Sequence, residues 1–549
     1  MTDYLNNILL LNEKNFPQRV YLRQPRQDKW HEFTWSEVMK QARQVAQFLL
    51  NKGLQRGDKV ALFSKNCAEW FITDYALSLA GLVNVPLFGN QHQDSIRFVL
   101  EHAEIKLVFV GKLDDYQRVR SYIPDSLPTV GFGYHDESSV NTPWAEVLKT
   151  EPLQDIVPTA PDDIYTIIYS SGTAGLPKGA VYTHQIIANY LQLYPQDIRR
   201  IAQKDFYHLI SYLPLAHVYE RTAVQLGSVV IPCDVSFVES LDKFAHNLQE
   251  VQPTLFTGVP RIWGVFQQKI EAKLPPKKLD LLLKIPFISS LIKKKVRHGL
   301  GLSHCINCFS GASHLPVNII KFFEKLGIYI QEGYGQTENL AYVTFSMLNE
   351  RRPGYVGTAR TQVDLKVDSS EELLVHSPCL MKEYYKDPEA TKKALVDGWL
   401  HTGDVVEFDD QKRVKILGRL SENFKNRKGE FIAPSPIEKQ FSTNAMIEQL
   451  CLVGRELPSN ILLVTLSERG LTADKETLKN LLQKDLHQVN RQLLTHEKIS
   501  HIIIANQAWT PENGLLTPTL KVKRRAVEEA YQPVIKRAID QHQQVIWDE

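Results

Sequence analysis

A chain of 549 residues exceeds what one hydrophobic core can organise, so two or more domains are expected. Its composition, 43% hydrophobic and 23% charged, is that of a soluble globular protein, and a formal net charge of +2 gives no ground for a nucleic-acid partner. The opening Met1-Thr2-Asp3-Tyr4 lacks the basic stretch of a signal peptide, and no apolar run reaches the ~20 residues of a bilayer span. A cytoplasmic location is expected, with at most peripheral contact on the inner face of a membrane.

The first clear pattern covers residues 58–110. Residues 58–64 (DKVALFS) read as a buried strand, 68–80 as a helix, 82–87 as a strand, 94–102 as a helix and 105–110 as a strand. Short apolar strands alternating with helices predict parallel βαβ units, and similar alternation runs to about residue 330. From 355 to 417 the pattern turns to short strands such as 372–377 and 413–417, separated by turns. A smaller unit follows. It has a helix from Ser435, strands near 448–454 and 460–466, a long helix near 475–493, a strand at 501–505 and a basic C-terminal helix. The fold class expected is α/β, with a large N-terminal domain of βαβ units that includes a small β-rich part, then a small α+β domain. The division is placed at 1–418 and 419–549.

The six cysteines, at 67, 233, 305, 308, 379 and 451, are too sparse for a disulfide scaffold and fit a reducing compartment. Cys305 and Cys308 form a lone CxxC inside the apolar run His304-Cys305-Ile306-Asn307-Cys308-Phe309. Read as a strand, that run sends the two thiols to opposite faces, and core packing is expected rather than redox or metal chemistry.

The strongest local motif is Tyr169-Ser170-Ser171-Gly172-Thr173-Ala174-Gly175-Leu176-Pro177-Lys178-Gly179, after the apolar run 164–169. Glycines let backbone N–H groups approach oxygens, hydroxyls donate hydrogen bonds, and lysine neutralises charge, so the loop suits a polyphosphate. It is not a GxxxxGK[ST] loop, because its hydroxyls precede the glycines.

This loop resembles the phosphate-binding signature of the adenylate-forming superfamily, which includes acyl-CoA synthetases, peptide-synthetase adenylation domains and luciferases. Further motifs stand in that family's order: Gly333-Tyr334-Gly335-Gln336-Thr337-Glu338, then Asp397-Gly398-Trp399-Leu400-His401-Thr402-Gly403-Asp404, then Gly418-Arg419, and Thr517-Pro518-Thr519-Leu520-Lys521-Val522-Lys523-Arg524-Arg525. Leu213-Pro214-Leu215-Ala216-His217-Val218-Tyr219-Glu220-Arg221, Val259-Pro260-Arg261-Ile262-Trp263 and Glu512-Asn513-Gly514-Leu515-Leu516-Thr517 resemble the long-chain fatty acyl-CoA synthetases.

The resemblance implies ATP-dependent activation of a long- or medium-chain fatty acid. An acyl-AMP forms first, and CoA then displaces AMP. Ser170, Ser171, Gly172, Thr173 and Lys178 would hold phosphates, and Glu338 would hold Mg²⁺. Tyr334 would stack on adenine, with Gly333 and Gly335 allowing close backbone approach. Gly311 and Ala312 would form the opposite wall, although Ser313 and His314 replace the residues usual after them. Thr337 completes the motif, Asp404 would take the ribose hydroxyls, and Arg419 would meet ribose or phosphate. Lys521 would bridge the fatty carboxylate and the α-phosphate, reaching over from a C-terminal domain that rotates. His217 would sit near the acyl–phosphate junction, whereas His401 reads as structural. Lys428 and Gly429 lie in the loop that in relatives approaches CoA, and Ser421 stands at the hinge position, commonly Asp or Lys. Two alternatives remain. One is a fatty acyl-AMP ligase loading a carrier protein, which commonly has an insertion between the domains. The other is an inactive relative serving as a lipid-binding scaffold.

Residues 277–297 carry seven cations and one acid, Asp280, interleaved with leucine and isoleucine. Two readings stand open: contact with an anionic membrane, or a solvated basic helix that packs its leucines on the main domain. Pro286 breaks the helical pattern.

Overall fold

A computed structural model describes residues 4–135, 140–170, 176–201, 204–441, 444–539, 541 and 543–548. The expected βαβ units are present. Strands Lys59–Phe63, Val83–Leu87 and Leu107–Val110 pair in parallel, in the order 107–110, 59–63, 83–87. Strands Thr129–Gly131 and Thr142–Pro143 on one side and the antiparallel pair Ile164–Ser170 and Lys178–Thr183 on the other extend this sheet to seven strands. Every residue of helix Ala68–Leu79 is buried, including Glu69, Thr73, Asp74 and Ser78 among its apolar majority.

A second sheet orders Tyr207–Ser211, Cys233–Phe237, Val20–Arg26 and Lys29–Thr34. A third begins with the parallel strands Leu255–Thr257, Asn307–Ser310 and Ile330–Tyr334. The region after 355 is β-rich as expected. Trp399–Phe408 pairs antiparallel with both Glu372–His376 and Val414–Arg419. The large α/β part is therefore followed by a smaller one with its own four-stranded sheet, Ile447–Val453, Asn460–Leu466, Ile499–Ile504 and Val545–Trp547. Helices Pro434–Phe441 and Lys475–Asn490 pack their apolar sides on that sheet.

One local expectation needs correction and another is borne out. Cys305 precedes the strand Asn307–Ser310 instead of lying in it, so the two thiols do not diverge; their sulfurs are 3.5 Å apart. Both are buried, as core packing requires. Pro286 breaks the helical pattern as expected, because the helix before it stops at Leu283. It occupies the first turn of a new helix, Pro286–Gly299, after helix Pro276–Leu283, a position where its missing N–H costs nothing.

Candidate active site

A cavity of about 1270 Å³ opens where Ser170, Ser310 and Tyr334 end their strands, and residues 517–522 of the smaller part also line it. Carboxyl ends of parallel strands are where open α/β sheets bind ligands.

Asp404 is buried at the start of one wall. Its Oδ2 accepts from the Tyr334 hydroxyl at 2.5 Å and from Gln336 Nε2 at 2.6 Å, while Arg419 Nε lies 3.0 Å from Oδ1. A carboxylate has about four lone-pair sites. A diol would therefore share these oxygens with protein donors rather than find both free. The same contact ties Tyr334 by its hydroxyl, and Tyr334 still lines the cavity.

The glycines next to Tyr334 serve the protein before any ligand. A Cβ on Gly335 would meet Ala341 Cα at 2.4 Å, so the close approach at that position is internal. Ala312, beside Gly311, is left-handed with φ of 67°, which turns the wall sharply after the strand. Gly311 itself leaves only 3.3 Å from a built Cβ to the Gly333 carbonyl oxygen.

Thr337 and Glu338 form a short 3-10 turn. The Tyr182 hydroxyl donates to the Thr337 carbonyl, and the Tyr384 hydroxyl donates to Glu338 Oε1 at 2.7 Å. Lys178 Nζ stands 5.0 Å from the Tyr384 ring centroid. Ser170 and Lys178 face each other as the paired ends of a hairpin, and both line the cavity. Ser171, Gly172 and Thr173 lie outside the described residues.

His217 Nδ1 accepts from the Tyr219 backbone N–H at 3.2 Å. The ring proton of the neutral form is thereby assigned to Nε2. Burial pushes the His217 pKa down to about 3, with the charge of Lys521 adding to the effect, so the imidazole is neutral at ordinary pH.

Lys521 is not on the basic helix, which begins at Arg524. It closes a turn in which its N–H donates to Thr517 Oγ1 at 3.0 Å, and the preceding Leu520 is left-handed with φ of 63°. Lys521 keeps accessible surface, but that surface is cavity wall. Protein crowding lowers its pKa, and Arg419 lowers it further, against opposing pulls from Asp404, Glu338 and Glu422. Cations and carboxylates from four separate segments thus converge on one space.

The descriptions of two family models match this chain: AMP-binding enzyme over residues 11–385, and AMP-binding enzyme C-terminal domain over 426–543. The chain belongs to the AMP-binding enzyme family. Among relatives of this AMP-binding enzyme is long chain acyl-CoA synthetase 7, peroxisomal, of Arabidopsis thaliana. It is 28% identical over 92% of this chain and 81% of its own length. Long-chain-fatty-acid--CoA ligase 5 of Rattus norvegicus is 28% identical over 94% of this chain and 85% of its own. The fold matches the adenylation domain of a carboxylate reductase from Mycobacterium chelonae at a TM-score of 0.82, with 22% identity, covering 98% of this chain and 91% of that one.

Some predicted residues lie elsewhere on this AMP-binding enzyme. Lys428 and Gly429 are exposed in the turn between strands Phe424–Lys425 and Phe431–Ile432, and neither lines the cavity. His401 lines the cavity, and its Nδ1 donates to Glu372 Oε2 at 2.8 Å, while Glu372 Oε1 accepts the Gly403 N–H at 2.6 Å.

Other cavity residues carry no sequence motif. Tyr190, Tyr194 and Ile198 form an i, i+4, i+8 stripe on helix His184–Ile201 and line the cavity. They adjoin a π-helical turn, Arg221–Leu226, that also lines the cavity. Its wider register frees carbonyls, and the hydroxyls of Tyr190 and Tyr194 cap those of Thr222 and Ala223 at 2.8 Å each. Leu209, Val224 and Leu255 complete an apolar lining. The helical spacing of the tyrosine–isoleucine stripe was the only available signal for this wall.

Proposed function

We propose that the protein activates a fatty acid of long or medium chain with ATP and transfers the acyl group to CoA. The observation that carries this reading is one cavity lined by two kinds of residue: the polar Lys521, His217 and Glu338, and the apolar tyrosine–isoleucine stripe. The names of the relatives point to the same chemistry.

In this reading the fatty carboxylate attacks the α-phosphate of ATP and pyrophosphate leaves. Two anions must approach each other, so fixed cations dominate the step. Lys521 lies between the carboxylate and the α-phosphate, and His217 Nε2–H donates to a carboxylate oxygen. Neutrality of His217 keeps it a donor without trapping the fatty acid as an ion pair. Ser170, Lys178 and the residues between them hold the outer phosphates, Asp404 and Arg419 hold the ribose side, and Gly311, Ala312 and Tyr334 frame the base. Glu338 suits a divalent cation, because hard ions take carboxylate oxygens and the Tyr384 hydroxyl orients this one from the protein side. Mg²⁺ bound there would neutralise charge on the phosphate oxygens. The thiol of CoA then attacks the acyl carbonyl and AMP leaves.

The division into parts at 1–418 and 419–549 belongs to the same proposal, with Lys428 and Gly429 on the CoA side. A carrier-protein acceptor is less favoured. Between Asp404 and Arg419 the chain is an antiparallel hairpin that carries no inserted segment.

The test is ATP consumption with a panel of carboxylic acids, with and without CoA. Turnover should require CoA and should favour fatty acids of roughly C10–C18, since each buried CH₂ adds about 0.8 kcal/mol until the apolar wall ends. Clear preference for acetate or an aromatic acid over every fatty acid would overturn the assignment.

A further inference from the structure

Helices Pro276–Leu283 and Pro286–Gly299 are firmly seated on one side and unpartnered on the other. Leu279 is buried, and Leu283, Ile292 and Val296 pack on a core that includes Trp263 and Phe323. Arg297 ties the second helix to the carbonyls of Cys305 and Gly327. The outward faces, however, are not polar. Leu281 is 63% exposed, Phe287 87% and Leu291 68%, and Ile285 between the helices is also exposed. Phe287 is thus more exposed than almost any core-type residue has reason to be in water.

Helical spacing explains the pattern. Lys277, Leu281 and Lys284 follow i, i+4, i+7 on the first helix, and Phe287, Leu291 and Lys294 follow the same spacing on the second. Each helix therefore exposes a stripe in which apolar side chains alternate with lysines, with Lys278 and Lys295 beside them. The only acid in the segment, Asp280, is bonded to Lys325 at 2.8 Å.

We propose that these stripes dock the protein on an anionic lipid bilayer. Phe287, Leu291, Leu281 and Ile285 would enter the boundary between headgroups and acyl chains, and the flanking lysines would meet anionic headgroups. Charge selects this occupant. A second copy placed face to face would set lysine against lysine. A bilayer satisfies the apolar side chains and the lysines together without a shaped counterpart. No helix among the described residues is long and apolar enough to cross a membrane, so the contact is peripheral.

The experiment is co-sedimentation of the full chain with phosphatidylcholine vesicles, with and without phosphatidylglycerol, at low and high salt. Wild type should pellet with the anionic vesicles at low salt and be released as salt rises. The triple variant Lys277→Ala, Lys278→Ala, Lys284→Ala should lose affinity for them on the order of 100-fold. Phe287→Ser with Leu291→Ser should also lose binding while all lysines remain. The matched double variant Lys392→Ala, Lys393→Ala should bind as wild type. Thermal melting and ATP turnover on dispersed fatty acid should be unchanged in every variant, which separates lost docking from lost folding. Three results would overturn the proposal: no binding of wild type to anionic vesicles at low salt, unchanged binding in both stripe variants, or a dimer in solution that Phe287→Ser dissociates. None of these bears on the acyl-activating reading, which stands on other residues.

Discussion

Replacing Glu338 by Gln keeps the shape of the side chain and an acceptor for the Tyr384 hydroxyl, and removes one negative charge. If that charge holds Mg²⁺ on the phosphates, acyl-AMP formation should fall about 100-fold or more, the scale of one lost electrostatic contact in a transition state. Pyrophosphate exchange at saturating Mg²⁺ measures this step alone, and wild-type exchange would remove Glu338 from the role. Glu338 could be singled out from sequence because chemistry-bearing types stand at fixed spacing around it. Its neighbour Tyr384 could not, since it arrives from 46 positions away and a lone tyrosine carries no spacing signal. Gln336 sat inside the motif and was passed over, yet its amide holds both Asp404 and the Thr402 carbonyl. The thiols of Cys305 and Cys308 fit the core reading and not the divergent one, because the strand begins at Asn307, three residues after the start of the apolar run at His304.

At the scale of elements, runs of buried residues were legible and irregular turns were not. Residues 58–64 and 82–87 became Lys59–Phe63 and Val83–Leu87, because a strand buried on both faces is apolar throughout. The π-helical turn at Arg221–Leu226 has no such signature, since tyrosines on another helix stabilise it. The loop before that turn depends on Glu220. Its Oε1 accepts from Ser211 Oγ at 2.8 Å and from the Tyr212 N–H at 3.0 Å, and its Oε2 is buried with no partner among the described residues. Burial pushes the Glu220 pKa up from 4.5 to about 8. The native state therefore keeps a proton that the unfolded chain has already lost. Stability from this group is complete below about pH 4.5 and declines as pH rises toward about 8. Glu220→Gln retains a carbonyl acceptor and has no proton to lose. Its melting temperature should fall less than that of wild type across the same window. Glu332, raised to about 7 by burial, titrates in both proteins, so the difference between the two curves isolates Glu220. Parallel curves would show that Glu220 is ionised in the native protein.

Over the whole molecule, the order large α/β part then small α+β part was legible from the return of helices among the strands after about residue 420. The way the small part seats on the large one was not. It rests on pairs far apart in sequence, such as Asn90 Nδ2 donating to the Pro518 carbonyl at 3.1 Å and Arg261 meeting Glu448 at 3.2 Å. That seating puts Lys521 beside the cavity and gives Arg524 a different task. Arg524 makes a two-point contact with Glu438 and also donates to the Leu452 carbonyl, so it braces the small part internally. Lys523 is half-buried and does not line the cavity. Arg524 also reaches the cavity wall, but its hydrogen bonds are spent on Glu438 and Leu452, which leaves Lys521 as the cavity cation of this cluster not tied into the scaffold by a side-chain bond among the described residues. The two half-reactions make different demands on Lys521. Joining a carboxylate to a phosphate needs a cation between them, whereas thiol attack on an acyl-AMP needs an open path. Rotation of the small part between the steps would meet both demands and withdraw the lysine. Lys521→Ala should slow acyl-AMP formation about 100-fold or more, while supplied acyl-AMP should still react with CoA near the wild-type rate. Lys523→Ala should retain most activity in both assays. Equal loss in the two half-reactions would argue for a single fixed arrangement, and loss with Lys523→Ala alone would move the catalytic role two residues along the chain.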